Sequence, residues 1–185
     1  MPRVPVHTVH SAPDGSRDDL KALEARFGKV LNLFGEMAHA PTLIGLFTAA
    51  HGAIAERTSL DHRIREAIHL TVSQINDCRY CQSAYTAAAK AAGFSDHEAL
   101  AIRRGYVDFD RRLAALLPVV REVAANKGYV DDTTWQHAID VGWTDEQLLE
   151  AFADVVRTLL TNYFNHFVGT EIDLPRAPAL DGAVA

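Results

Sequence analysis

Apolar residues recur at three- and four-residue steps through nearly all of residues 18–167. That spacing gathers them on one face of a helix and leaves packing of helix on helix as the way to bury them. No run of Val, Ile and Thr alternates with period two between turn residues, so strands are not expected. The punctuation agrees. Ser95 with Glu98 and Thr144 with Gln147 have capping-box spacing, Asp61 and Asp131 stand where N-caps belong, and Gly28, Gly93, Gly105 and Gly128 follow periodic stretches as stops. The pattern predicts helices near 18–27, 41–56, 60–76, 78–92, 95–104, 109–126, 132–141 and 145–167, with a short turn of helix around 30–38 ended by Pro41. Short linkers make this an all-α, compact helical bundle. Residues 1–16, with three prolines, read as an extended N-terminal arm, and 168–185 as a C-terminal tail; such arms are often mobile or wrap a neighbouring subunit.

The chain has 185 residues, which suits a single domain. Its 48% hydrophobic and 23% charged residues exclude a disordered or low-complexity polymer. Lys and Arg number 18 against 24 Asp and Glu, so the basic footprint of a nucleic-acid binder is missing. Two cysteines cannot build the disulfide framework of a secreted domain. The N-terminus has no apolar signal region and no segment reaches 18 apolar residues, so neither export nor membrane insertion is expected, and the location expected is cytoplasmic.

In the last helix Leu148, Leu149, Phe152, Val155, Val156, Leu159, Leu160 and Tyr163 form an apolar face wider than a surface helix needs. It is either the central core helix or one that also meets another subunit. Asn162, Asn165 and His166, embedded among aromatics, read as groups that cap the helix end and anchor the tail.

Chemistry concentrates at Cys78-Arg79-Tyr80-Cys81. Asn76-Asp77 breaks the preceding helix, with Asp77 the expected N-cap of the next. A cysteine at a helix start meets unpaired N–H groups and the positive end of the dipole, and both favour thiolate. At about 100° per residue, Cys78, Cys81 and Tyr85 share a face, continued by Ala88, Ala89 and Ala92. Two sulfurs one turn apart can close and open as a disulfide. Two inert buried thiols would show the same spacing, and a zinc site would need a second Cys pair. On the preceding helix His62, Glu66, His69 and Ser73 lie opposite an apolar face, either as a solvated stripe or as a carboxylate–imidazole pair placed to move a proton. Glu36-x-x-His39 and Glu66-x-x-His69 have the spacing of di-iron bundles, which need two further inward glutamates. No metal and no cofactor is assigned.

Glu66 followed after eleven residues by Cys-x-x-Cys resembles the signature of the alkylhydroperoxidase D/carboxymuconolactone decarboxylase superfamily. Ala91-Ala92-Gly93-Phe94-Ser95, Gly142-Trp143-Thr144 and Thr161-Asn162-Tyr163-Phe164-Asn165-His166 are similar to its peroxidase-related branch, over roughly residues 18–175. The resemblance implies a helical fold assembled as homo-oligomers (dimers, trimers or hexamers). It also implies reduction of a small hydroperoxide, with a thiol reductant or redox partner protein closing the cycle. By that resemblance Cys81 attacks the peroxide, Cys78 resolves the sulfenic acid, and Glu66 is the base acting through a histidine four residues after Cys81. Here that position is Tyr85, which cannot relay a proton near pH 7 as imidazole does. His69 is the nearest substitute and His166 a second. The alternatives are a decarboxylase-like lyase, which does not rely on a Cys pair, and an oligomeric binding protein that has lost activity.

Overall fold

The described residues, 2–180 of a computed structural model, contain nine helices and no strand. In chain order they are α1 (Asp14–Phe27), α2 (Asn32–Met37), α3 (Pro41–Arg57), α4 (His62–Ile75), α5 (Arg79–Ala91), α6 (Asp96–Arg104), α7 (Arg111–Ala125), α8 (Asp132–Val141) and α9 (Asp145–Val168). The expected all-α bundle is what forms. Helix α1 starts four residues before its apolar periodicity, because Asp14-Gly15-Ser16-Arg17 carries no apolar signal. Asp61 caps α4 by accepting from the Ile64 N–H at 2.8 Å, and both capping boxes close reciprocally. The four glycines read as stops all take positive φ. Gly35 serves a different need: a Cβ there would stand 2.4 Å from Val6 Cγ1 and 2.7 Å from the His7 carbonyl oxygen, so its absence lets the N-terminal arm lie against α2.

Helix α4 is the hub, packing against α5, α6, α7 and α9. Its polar side is therefore not a solvated stripe. Glu66, His69 and Ser73 are buried, and only His62, in its first turn, is exposed. One apolar cluster joins α4, α6, α7, α8 and the first half of α9, and a second joins α1, α2, α3 and the opening of α5. Tyr85 packs against both, and the two cysteines lie in the second.

Both extended ends fold back onto their own chain. Arg3 N–H donates to the Val168 carbonyl at 2.8 Å and His7 N–H to that of Gly35 at 3.1 Å. The tail crosses α5. Tyr80 donates to Asp173 at 2.8 Å, Ala177 N–H to Ser83 at 3.1 Å, and Arg103 to the Pro178 carbonyl at 2.6 Å. Extended backbone has no internal partners, so these side chains and carbonyls supply them. Residues 181–185 of the expected tail lie outside the described residues.

Helix α9 buries Leu148, Ala151 and Val155 but exposes Leu149, Phe152, Val156, Tyr163 and Phe167 on its other side. None of the described helices is long and apolar enough to cross a membrane.

Candidate active site

The thiols sit where α4 ends and α5 begins. Asp77 takes φ +48°, turning the chain sharply, and the N-cap is Cys78 rather than the expected Asp77. Its sulfur does what a capping oxygen does, accepting from the Cys81 N–H at 3.5 Å. This places Cys78 outside the helical phase. Cys81, Tyr85 and Ala88 do face one cavity, but Cys78 lines a separate polar cleft with His166 and the start of the tail. Both cysteines are free and buried.

From α9, Asn165 Nδ2 reaches both sulfurs, at 3.1 Å from Cys81 and 3.7 Å from Cys78. Thr161, one turn earlier, lies 3.9 Å from Cys81 Sγ. Asn162 also ties α9 to Asn76 at 3.0 Å and Ser73 at 3.3 Å. Asn165 therefore does more than anchor the tail. The hydrogen bond from Cys81 outweighs burial and, with the Asn165 amide, draws the Cys78 thiol below its usual range. Burial pushes Cys81 well up, and its bond to Cys78 adds to that. The pair titrates as a unit, and Cys78 gives up its proton more readily than Cys81.

Glu66 and His69 meet on α4, with His69 Nδ1 3.4 Å from Glu66 Oε2. Burial works to raise the Glu66 carboxyl, but the bond and charge of His69 outweigh it and hold the group ionised. His69 Nε2 stands 2.8 Å from Asp154 Oδ1 and 2.6 Å from Arg157 Nη2. It hydrogen-bonds one at a time, donating to Asp154 when it carries the proton and accepting from Arg157 when bare. Arg65 completes the group, its Nε donating to Asp154 at 2.9 Å. Asp154 is fully buried; burial opposes its charge, yet the bonds from His69 and Arg65 keep it far below the usual carboxylate range. Arg157 also donates to the Tyr85 hydroxyl at 3.4 Å. Burial raises that phenol, so Tyr85 stays neutral.

The site thus brings together Glu66, His69, Cys81 and Tyr85, which line one cavity of about 310 Å³, with Cys78 behind Cys81. His166 is exposed on the cleft side and does not join it. Sequence reasoning did not find Asp154, Arg157, Thr161 or Asn165 as site residues. The signal was a charged pair three residues apart inside the apolar run of α9, and a Thr and an Asn one turn apart at its aromatic end. The two Glu-x-x-His motifs are otherwise engaged. Glu36 is buried against the Thr170 hydroxyl, and His39 bonds His7 at 3.2 Å and the Pro5 carbonyl at 2.8 Å.

Residues 41–122, which carry Glu66 and both cysteines, match the carboxymuconolactone decarboxylase family. A peroxidase-related protein from Ralstonia eutropha, described as an alkylhydroperoxidase AhpD core, superposes with a TM-score of 0.83 at 25% identity, over 93% of this chain and 92% of its own. The matched region and this superposition support placing the chain with the AhpD-like/carboxymuconolactone decarboxylase superfamily. A second peroxidase-related protein, from Silicibacter sp., gives 0.79 at 17% identity, covering 92% of this chain and 91% of its own, again a likeness of fold. The debrominase Bmp8, solved with 2,3,4-tribromopyrrole, gives 0.74 at 15% identity and 86% coverage of each chain, a likeness of fold alone. No curated protein matches the sequence. Within the AhpD-like fold the family match ends before α9, so Asp154, Arg157, Thr161 and Asn165 lie beyond it.

Proposed function

We propose that this AhpD-like protein is a dithiol peroxidase. The observation that carries the reading is that one amide, Asn165, touches two free sulfurs, the inner of which opens onto a cavity shared with the Glu66–His69 pair. Cys81 passes its proton to Cys78, and its thiolate attacks the terminal oxygen of the hydroperoxide. The O–O bond breaks, Cys81 becomes a sulfenic acid, and the alkoxide leaves as an alcohol after taking a proton held by the Glu66–His69 pair. Cys78 then attacks the sulfenic sulfur, and a disulfide and water form. A thiol reductant or redox partner protein returns both electrons. Tyr85 takes no proton in this scheme, and His69 serves the leaving oxygen, a different task from the base-to-thiol relay that the resemblance gave to the position of Tyr85.

The cycle needs a reducing compartment, which fits a cytoplasmic setting. The exposed apolar side of α9 supports assembly as a homo-oligomer.

The test is titration of free thiols before and after stoichiometric hydroperoxide, with sulfenic-acid trapping in two variants. Cys78→Ser should accumulate sulfenic acid on Cys81, and Cys81→Ser should accumulate none. Accumulation on Cys78 in the second variant would reverse the roles. Thiols silent to peroxide would reject the peroxidase and leave a lyase or a binding protein.

A further inference from the structure

The cavity in front of Cys81 is much larger than a peroxide group. Its volume of about 310 Å³ equals that of roughly ten waters, so hydrogen peroxide would leave it nearly unfilled. Its wall is mostly hydrocarbon, including Leu23, Phe27, Phe34, Phe47, Ala84 and Ala88. Such a wall favours an organic body. Three guanidiniums, Arg26, Arg65 and Arg157, line it against a single carboxylate, Glu66. Arg65 and Arg157 share the buried Asp154 behind the wall. Glu66 is held between His62 and His69. Arg26 is different. Among the described residues it has no carboxylate partner, and its guanidinium bonds His51 Nε2 on α3.

A basic residue in the last turn of a helix ordinarily complements that helix's own dipole. Arg26 is in the last turn of α1 but reaches across to α3 instead. Burial and the Arg26 charge together push His51 down to about 4, so the imidazole is neutral and adds no charge of its own. Because Nε2 accepts from Arg26, the ring proton is on Nδ1, which is buried with no partner. The cavity wall thus holds an exposed guanidinium with no carboxylate partner, beside a neutral imidazole, together with the buried Cys81.

We propose that the cavity takes an amphipathic organic hydroperoxide, its apolar body against the phenylalanine wall and an anionic group held at the mouth by Arg26. The hydroperoxide part of this statement rests on the peroxidase reading above, whereas the anion site does not. The probes are therefore octanoate and 1-octanol, which match in chain length, lack an O–O bond and differ in charge. Calorimetric titration of the Cys81→Ser protein at pH 7.5 and low salt should show octanoate binding about tenfold tighter than octanol. Arg26→Gln should bring the two together, Arg26→Lys should restore part of the preference, and added salt should weaken octanoate alone. Equal binding in the starting protein, no binding of either probe, or a preference that survives Arg26→Gln would overturn the proposal. Octanoate preference with thiols that ignore peroxide would uphold the anion site and reject the peroxidase. Thiols oxidised by peroxide without octanoate preference would do the reverse.

Discussion

The rings of Tyr85 and His69 lie against each other with centroids 4.9 Å apart, so the phenol leans on the imidazole that Glu66 engages. The Tyr85 hydroxyl is turned away to Arg157. Tyr85→Phe should therefore change kcat/KM for hydroperoxide by only a few-fold, while Glu66→Gln and His69→Ala each lower it by about 10²–10⁴. Tyr85→His should be no faster than the parent, because in the proposed scheme Cys78 takes the Cys81 proton and residue 85 relays none. Stopped-flow measurement of thiol oxidation separates these outcomes. A large gain in Tyr85→His would mean that the relay is broken in the natural chain.

Asn165 has its own signature. Replacing it by Leu removes the donor that steadies charge on the sulfur pair, and a hydrogen bond to a charged group is worth about 1.5–3 kcal/mol. Thiolate absorbance in the ultraviolet should then titrate at higher pH than in the parent, and oxidation near pH 7 should slow about tenfold or more. Unchanged titration would show that the amide only packs against the sulfurs.

Asp154 should matter more for stability than any other carboxylate. Asp154→Ala strands Arg65 and Arg157 in the interior, a loss of about 3–5 kcal/mol for a broken buried pair. Denaturant titration at pH 7 measures it.

Acid should act through the same group. Asp154 and Glu66 are both held below their unfolded values of about 3.9 and 4.3, so the unfolded chain takes up protons first as pH falls. Their contribution is complete above the unfolded values and declines as pH drops through the folded ones. The denaturation midpoint should be level near neutrality and fall steeply below about pH 4. Asp154→Asn should flatten that fall.

Assembly is tested on α9. Sedimentation at micromolar concentration should give a species larger than one chain, and Phe152→Glu on the exposed side should dissociate it without unfolding the helix. A parent protein that sediments as a single chain would remove α9 as an interface.

Most of the helix pattern could be read from spacing and caps, because periodicity and capping are local properties of the chain. The starts of α6 and α9 follow Ser95 and Thr144 directly for that reason. What periodicity could not show is which polar residues tertiary neighbours would bury. Glu66 and Ser73 look like a wet stripe until α5 and α9 cover α4. Asn165 looks like a cap until the fold brings its amide onto two sulfurs far away in sequence. Cys78 falls out of phase because a single residue, Asp77 at positive φ, turns the backbone just before it.

The tail that crosses α5 also sets an order of events during synthesis. Tyr80 receives its acceptor from Asp173 and Ser83 its donor from Ala177, so α5 emerges from the ribosome some ninety residues before its cover. Even the amide that bridges the sulfurs is translated long after them. Nascent chains grow by about 5–20 residues per second, so the cysteines spend several seconds without either neighbour. A newly made molecule therefore passes through an interval in which its two thiols are ordinary ones, and it acquires their paired chemistry only when its last helix and tail have been delivered.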